Sequence, residues 1–218
     1  MAYLFLALAL LIMAAFAALL FFAMRKRSVV ASDARIAEMF SSAAERLMNL
    51  DRRADVYAVI AEELHKISGD SFILVDSFDN MYDQFSSRAI SGIGPLVQKA
   101  LQMLGRDYLN TVFKLDNDAR QILTSGRLKK VEGGIHRISL GKVPLEIAED
   151  IDQFFKVRHF YAMGLTRESK LLGNVIIIPI FGNDLKGIRT VEAAVKLASS
   201  ALGRSQERDI IGHEEQAC

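Results

Sequence analysis

The sequence predicts an α+β protein, in which an N-terminal transmembrane helix precedes one domain with a central antiparallel sheet flanked by helices. Three observations support this class. The first apolar run, Ala2–Met24, contains no charged residue, Gly or Pro. After it, short β-rich segments are interspersed with amphipathic helical segments, which is typical of a sheet covered by helices. Two pairs of neighbouring β-rich segments are joined by polar turns, and such pairs form hairpins.

Residues 1–27 are predicted to be a membrane anchor with a basic flank. A helix rises ~1.5 Å per residue, so Ala2–Met24 is long enough to cross a hydrocarbon core ~30 Å thick. Arg25, Lys26 and Arg27 follow the run and no basic residue precedes it. Because basic flanks are retained inside the cell, we expect a single-pass protein of the cell membrane with its C-terminal domain in the cytoplasm.

A cleaved signal peptide is one alternative interpretation of this first segment, and a buried soluble helix is the other, although such helices usually interrupt their apolar residues with polar ones. Ala15 and Ala17 supply a small-x-small pattern of the kind that precedes cleavage. A signal peptide, however, has a positively charged start and an apolar core of only ~7–15 residues. The run has neither property, so the sequence favours the anchor.

Charge and cysteine usage exclude several functional classes. The chain has 27 basic and 26 acidic residues, and this balance does not give the basic field of a nucleic-acid-binding protein. We therefore predict no nucleic-acid partner. The single cysteine, Cys218, excludes an intrachain disulfide framework and a Cys-rich zinc site.

Residues 28–54 are predicted to form a helical linker with a short coiled coil. Its apolar residues recur at alternating steps of four and three, the seam by which two helices wrap around each other. These residues are Ile36, Phe40, Ala43, Leu47, Leu50 and Ala54. Arg46 and Asp51 flank the seam, where an ion pair between two chains would form. A homodimer is one interpretation, and an amphipathic helix that packs on its own domain is the other.

Residues 55–205 are predicted to form the folded domain. Its first half has a helix over 55–68, a hairpin over 72–93, a helix over 96–104, a strand over 110–115, a helix that Asp116 caps, and a short strand over 129–132. Residues 135–143 are ambiguous. The second half has a helix from Pro144 to Val157, a hairpin over 159–180 and a helix over 185–203.

The second hairpin indicates where the middle of the sheet lies. Val175–Ile178 is apolar at every position, which is typical of a strand with layers on both faces. Pro179 is expected at the end of this strand, because a central strand needs its N–H groups. The polar tail, residues 206–218, is expected to fray together with the residues that precede it from Arg204.

These segments resemble a GAF domain, the small-molecule sensor module of prokaryotic signalling proteins. The matching stretches are AEELHKISGDSFILVDSFD, SSRAISGI, TVFKLDNDARQILTSGRLKKVEGG and FYAMGLTRESKLLGNVIIIPI. They are similar to the GAF sensor regions of prokaryotic membrane-anchored sensor histidine kinases, over roughly residues 50–205. The resemblance implies that the first and last helices cover one face of the sheet and commonly dimerise. A ligand pocket would lie on the other face.

The resemblance also implies the site. The strands and the loop that line the pocket in the family correspond here to Phe113, Leu115, His136 and Tyr161, which are the predicted ligand-binding residues. Plain core packing is the alternative for each. This domain lacks the cysteines of bilin-carrying and methionine-sulfoxide-reducing relatives, and the residue set of cyclic-nucleotide-binding relatives cannot be placed in it. The cofactor is therefore unknown, although a single His such as His136 or His159 could hold haem iron if it faced a pocket.

No catalytic or metal motif supports an enzyme. The His residues lack metal-ligand spacing, and the sequence has neither a phosphate-binding loop nor a nucleophile elbow. We predict no catalytic residues, no metal and no enzymatic activity. The leading hypothesis is a membrane-tethered GAF sensor or adaptor that binds a small molecule and relays through dimerising helices to a downstream kinase. The alternatives are a ligand-free scaffold or dimerisation module, and the sensory front of a truncated histidine kinase.

Overall fold

The computed structural model describes residues 34–51, 54–104 and 111–216, with side chains up to residue 208. The chain divides into two units, Met1–Glu38 and Met39–Cys218. In the first unit the described residues, 34–38, are helical. The predicted anchor at Ala2–Met24 lies outside the described residues. Within them, no helix has the length and apolar character needed to cross a bilayer.

The second unit contains a six-stranded antiparallel sheet. The strands are β1 (Ser71–Asp79), β2 (Gln84–Ser91), β3 (Val112–Lys114), β4 (Lys129–Glu132), β5 (His159–Arg167) and β6 (Lys170–Pro179). Their order across the sheet is β3-β2-β1-β6-β5-β4. Both predicted hairpins are confirmed, and β6 lies between β1 and β5 as the apolar run Val175–Ile178 predicts. Pro179 is the last residue of β6.

Seven helices are present among the described residues. They are α1 (34–48), α2 (Val56–Ser68), α3 (Gly94–Leu104), α4 (Asn117–Thr124), α5 (Ile135–Ile138), α6 (Leu145–Phe155) and α7 (Ile188–Gln216). The short helix α5 occupies the segment that the sequence leaves ambiguous. The Asp55 carboxylate caps α2, and the Asp116 carboxylate accepts a hydrogen bond from the Ala119 N–H at 2.7 Å to cap α4 as predicted.

Different helices cover the two faces of the sheet. Side chains alternate between the faces of a strand, so neighbouring residues belong to different cores. One face packs against α2 and α7, whose Ile60, Leu64, Val195 and Leu202 are fully buried. The other face packs against α3–α6, and its apolar cluster includes Phe155 of α6. The sheet therefore separates two cores, one under long helices and one under short helices and loops.

The predicted coiled-coil seam does not run through one continuous helix. Helix α1 ends at residue 48, before Leu50 and Ala54. Ala43 and Leu47 are each 1% exposed, so the chain itself buries them. Arg46 donates through Nη1 to Glu63 Oε1 at 2.7 Å and through Nη2 to Glu62 Oε2 at 3.1 Å, both within the same chain. These contacts favour packing of residues 39–48 on their own domain, while homodimerisation stays a prediction.

Helix α7 extends further than the sequence predicts. The sequence predicts its end at Gly203 and a frayed segment after Arg204, but the helix continues to Gln216. Gly203 has a packing role instead, because a Cβ there would overlap the side chain of Arg167. Arg167, at the end of β5, pairs with Glu207, which lies one helical turn after Gly203, and its Nη1 is 2.9 Å from Glu207 Oε2. A glycine inside this helix thus makes room for a side chain from the sheet.

A second close approach sets the position of α4 over the sheet. Gly164 of β5 faces α4, and a Cβ at this position would overlap the Leu123 carbonyl oxygen and lie 2.7 Å from Leu171 Cδ1. Gly164→Ala should therefore lower the free energy of unfolding by about 1–3 kcal/mol, because a backbone carbonyl cannot rotate away as a side chain can. Urea denaturation of the full chain measures this.

Gly94→Ala is the control for this prediction. No atom lies within 4 Å of a Cβ at Gly94, so its effect should stay within about 1 kcal/mol. Equal stability of the two variants would show that α4 does not depend on close contact with β5.

Candidate ligand-binding cavity

A cavity of about 490 Å³ lies on the face of the sheet that α4 and α5 cover. This volume is within the range of small-molecule sites, roughly 300–1,000 Å³. The deep walls are formed mostly by buried apolar side chains. Among them are Leu74, Phe85, Phe113, Phe160, Ala162 and Ile176. An organic molecule would therefore meet mainly carbon surface inside this cavity.

Three of the four predicted site residues line the cavity. Phe113 of β3 pairs in register with Phe85 of β2, and both side chains belong to the wall. Leu115 and His136 also line it. Tyr161 does not line it. Phe160 and Ala162 on either side of Tyr161 face the cavity, so strand alternation directs Tyr161 to the opposite face.

Tyr161 belongs to a polar cluster around Asp184 instead. Its hydroxyl donates to Asp184 Oδ1, which His159 Nε2 also approaches at 3.1 Å. Lys130 Nζ lies 3.4 Å from Asp184 Oδ2. The hydrogen bond from Tyr161 and, to a smaller extent, the nearby Lys130 ammonium lower the pKa of Asp184 to about 2. Burial raises the pKa of Tyr161. The cluster joins β4 and β5 to the loop before α7, and the His159 ring contacts it rather than the cavity.

The floor of the cavity is polar and was not predicted from the sequence. Asp76 of β1 stands in register with Ser87 of β2 on one side and with Asn174 of β6 on the other. Ser87 Oγ donates to Asp76 Oδ1 at 2.9 Å, and Asn174 provides a second side-chain hydrogen bond. Asp76 is 4% exposed and Asn174 is 5% exposed. Three adjacent strands thus place their polar side chains at one point under apolar walls.

An irregularity in the sheet brings these side chains together. The register between β1 and β2 shifts between Val75 and Asp76, so that one extra residue, Arg88, is accommodated in β2. Bulges of this kind commonly re-aim side chains near functional sites. Without the shift, Asp76 would face Arg88 instead of Ser87. The one sequence signal of this site is an Asp inside the apolar run FILVDSF.

The Asp76 carboxyl has an unusual electrostatic environment. Burial raises its pKa to about 6, and the hydrogen bonds from Ser87 and Asn174 offset part of that effect. At neutral pH the group is therefore mostly ionised, and no basic side chain among the described residues contacts it. Asn174 Oδ1 is buried and accepts no hydrogen bond from the described residues. The floor thus offers two hydrogen-bond acceptors that a ligand could satisfy.

The rim of the cavity carries exposed polar side chains. His136 Nδ1 donates to the Val143 carbonyl at 2.8 Å, which leaves Nε2 on the far side of the ring. Arg137, Asp116 and Asp118 complete the polar rim. Helix α5, which carries His136, is anchored by the Ile135 N–H, which donates to Asp152 Oδ1 at 3.0 Å. Burial of that carboxyl raises its pKa.

The described residues contain no group of three or more His, Cys, Asp or Glu side chains that could hold a metal ion. The cavity chemistry visible in the structure is thus that of a binding site with an apolar body and a polar floor. Asp76 is the buried ionisable group in it, and His136 is at its rim.

Solved structures with a similar fold include GAF domains and a phytochrome chromophore-binding domain. The chromophore-binding domain of Stigmatella aurantiaca bacteriophytochrome has a TM-score of 0.54 and 14% identity, over 77% of this chain and 60% of that one. The GAF domain of a protein described as a sensor histidine kinase from Pseudomonas syringae has a TM-score of 0.54 and 10% identity, over 86% and 97%. The GAF domain of an Acinetobacter phosphoenolpyruvate-protein phosphotransferase has a TM-score of 0.53 and 7% identity, over 78% of this chain and 94% of that one.

These comparisons show that the chain has the GAF fold, as the sequence resemblance implies. This chain spans about 60% of the phytochrome chain to which it is similar and nearly all of the two isolated GAF domains. No protein-family model and no curated protein sequence matches it. The identities are low, so the similarity establishes the fold alone.

Replacing the floor carboxylate should change how stability depends on pH. The folded-state pKa of Asp76 is about 6 and the usual value is 3.8, so the native state holds the proton more tightly than the unfolded state. The stability that this proton contributes is complete below pH 3.8 and is lost as pH rises through 6. The free energy of unfolding of Asp76→Asn, relative to that of the wild type, should therefore increase as pH rises from 4 to 7.5, by up to about 3 kcal/mol. Urea unfolding at the two pH values measures this.

Asp184→Asn is the control, since the pKa of Asp184 is lowered. The ionised Asp184 stabilises the fold above pH 3.8, and this contribution is lost as pH falls towards 2. The variant should thus be less stable than the wild type at pH 7.5. A stability difference for Asp76→Asn that stays constant between pH 4 and 7.5 would contradict the raised pKa.

Proposed function

We propose that this chain is a GAF-type sensor that binds a small molecule in the cavity and relays its presence through helices on the opposite face of the sheet. The observation that carries the proposal is the cavity itself, with apolar walls above buried, incompletely satisfied polar groups. Small-molecule sites commonly combine a mostly apolar lining with a few convergent polar groups. The GAF fold in signalling proteins, including the one described as a sensor histidine kinase, supports a sensory role.

The layout of the sheet supports a relay. Leu74 and Asp76 face the cavity, while Val75 between them is fully buried on the face that α2 and α7 cover. Arg46 links α1 to α2 through Glu63, and Arg204 of α7 donates to the Leu47 carbonyl at 3.3 Å. A ligand that moves β1 would therefore act on packed helices. Relay requires two states with different ligand affinities.

The membrane anchor and the downstream partner extend this proposal. The uncharged run Ala2–Met24 and its basic flank support tethering with the sensor domain in the cytoplasm. The long helix α7 supports transmission to a partner, for which a kinase module is the proposed candidate. Such a kinase would be a separate protein, or the continuation of a chain of which this is the sensory front.

A ligand-free scaffold is the competing proposal. A GAF fold that has lost its ligand is expected to fill its pocket with apolar side chains. A cavity of about 490 Å³ and a buried carboxylate without a basic partner among the described residues favour the sensor. Burial of an ionised group costs free energy, which a binding function explains and a scaffold does not.

Native mass spectrometry of the full chain, purified without added ligand, tests the binding proposal. We expect a retained small molecule in the wild type and none in Ala162→Phe, because the larger ring fills the cavity from its wall. Tyr161→Phe is the matched control, since the neighbouring residue faces the other way and its loss of a hydroxyl leaves the cavity intact.

If the wild type retained no molecule and showed no thermal shift with nucleotides, haem or common metabolites, the scaffold would be the better proposal. Retention by Ala162→Phe equal to that of the wild type would place the ligand outside this cavity.

Hydrogen exchange tests the relay. Filling the cavity by Ala162→Phe should change amide exchange in residues 39–48 of α1 as well as in α2. Adding Arg46→Ala should reduce the change in α1, because the link to Glu63 is lost while the hydrogen bond from Arg204 to the Leu47 carbonyl remains. Adding Lys66→Ala, which pairs with the same Glu63 from within α2 at 2.7 Å, should not. Unchanged exchange in both helices of Ala162→Phe would contradict the relay.

A further inference from the structure

The floor of the cavity carries information about the class of ligand, provided that the proposed sensor function holds. Asp76 lies at the bottom of the cavity, 4% exposed, and its partners are the neutral Ser87 and Asn174. No basic side chain among the described residues contacts its carboxylate. Buried charges in proteins are normally paired with an opposite charge. The missing positive charge is thus a property that a ligand would supply.

The neighbouring acceptor strengthens this argument. Asn174 stands directly opposite Asp76 in the register between β1 and β6, and its Oδ1 is buried and accepts no hydrogen bond from the described residues. A carboxylate and an amide oxygen on adjacent strands form a pair of acceptors. A protonated amine has up to three N–H donors and no acceptor, so it complements such a pair.

The charges around the cavity also favour a positively charged ligand. Its acidic side chains are Asp76 on the floor and Asp116 and Asp118 on the rim. The basic side chain of its described lining is Arg137, which is exposed at the rim, and His136 lies beside it. Three carboxylates against one guanidinium give a negative field, which attracts cations into a cleft with apolar walls.

The walls of the cavity suit an organic molecule better than a bare metal ion. The described residues provide no group of three or more metal-ligating side chains, and the cavity of about 490 Å³ is lined above its floor mostly by aromatic and aliphatic carbon. Phe85, Phe113 and Phe160 stand around it, and aromatic faces also attract cations and stack on flat rings. The occupant therefore combines a positive nitrogen with an apolar body.

We propose that the cavity binds an organic amine, with its protonated nitrogen on the Asp76 carboxylate and the Asn174 amide oxygen and its carbon body against the phenylalanine walls. Burial raises the pKa of Asp76 to about 6, and this value still leaves the carboxylate ionised at the neutral pH where such amines are protonated.

Matched pairs of compounds test this assignment. The pairs are tryptamine with its alcohol analogue tryptophol, and 2-phenylethylamine with 2-phenylethanol. Each pair has the same body and differs in the charged nitrogen. Isothermal titration calorimetry of the full chain at pH 7.5 should show at least tenfold tighter binding of the amine in at least one pair. Asp76→Asn, which keeps the side-chain shape, should abolish that preference.

A second variant guards against misfolding of the first. Ser87→Ala removes the hydrogen bond that holds the carboxylate, and should weaken amine binding more than alcohol binding. Alcohols that bind as tightly as their amines in both pairs would overturn the assignment, and so would an amine preference that persists in Asp76→Asn.

The sensor proposal can survive this failure. If no amine binds but native mass spectrometry detects a retained molecule that Ala162→Phe excludes, the amine class is wrong and the sensor stands. If neither experiment detects a ligand, both proposals fail.

Discussion

The antiparallel pairing of β1 with β6 is the constraint on which the rest of this domain depends. These two strands lie in the middle of the sheet and pair from Ser71–Pro179 to Ser77–Gly173. Both are buried on both faces for most of their length, so their registers decide which side chains enter each core. A one-residue slip would exchange the two faces, and it would move Asp76 and Leu74 out of the cavity. The site and the helix-packing surface are thus set by the same backbone hydrogen bonds.

The contrast between Asp76 and Asp184 shows how position determines what a carboxylate does. Asp184 is 64% exposed and is surrounded by donors, so its charged form is favoured and it connects strands to the loop before α7. Asp76 is buried among apolar side chains with two neutral donors, so its charged form is disfavoured. The rise of the Asp76 pKa from 3.8 to about 6 corresponds to about 3 kcal/mol, a sizeable share of the stability of a domain of this size. A residue that is costly in this way is the kind that functional sites retain.

Three glycines allow neighbouring segments to pack closely in and against the sheet. Gly164 lets the end of α4 lie directly on β5, and Gly173 lets β6 approach the Asp76 carbonyl without a Cβ between them. On the other face Gly203 accommodates Arg167, which ties the hairpin to α7. In each case the sequence shows only a glycine inside a strand or helix, where it weakens the local propensity. The reason for each glycine lies in a residue that is distant in the chain.

Much of the element order could be predicted from the sequence, because hydrophobic periodicity and turn residues act locally. The two hairpins, the cap at Asp116 and the central place of Val175–Ile178 all follow from such signals. Periodicity was less informative for the helices. Leu145 and Phe154 of α6 are apolar but about half exposed, and α1 ends before the seam does. Residue type alone does not say which apolar side chains find a partner.

The site divides in the same way. Phe113, Leu115 and His136 were predicted from family resemblance and line the cavity, whereas Tyr161, predicted in the same way, has its hydroxyl on Asp184 and does not line the cavity. Asp76, Ser87 and Asn174 could not be predicted as a group, because they are far apart in sequence and meet through two pairings and a register shift. The sequence by itself determined the fold class and the strands, since these depend on local propensity and burial pattern. Only the tertiary structure decided which polar side chains meet at the floor, because that depends on register between strands that are distant in the chain.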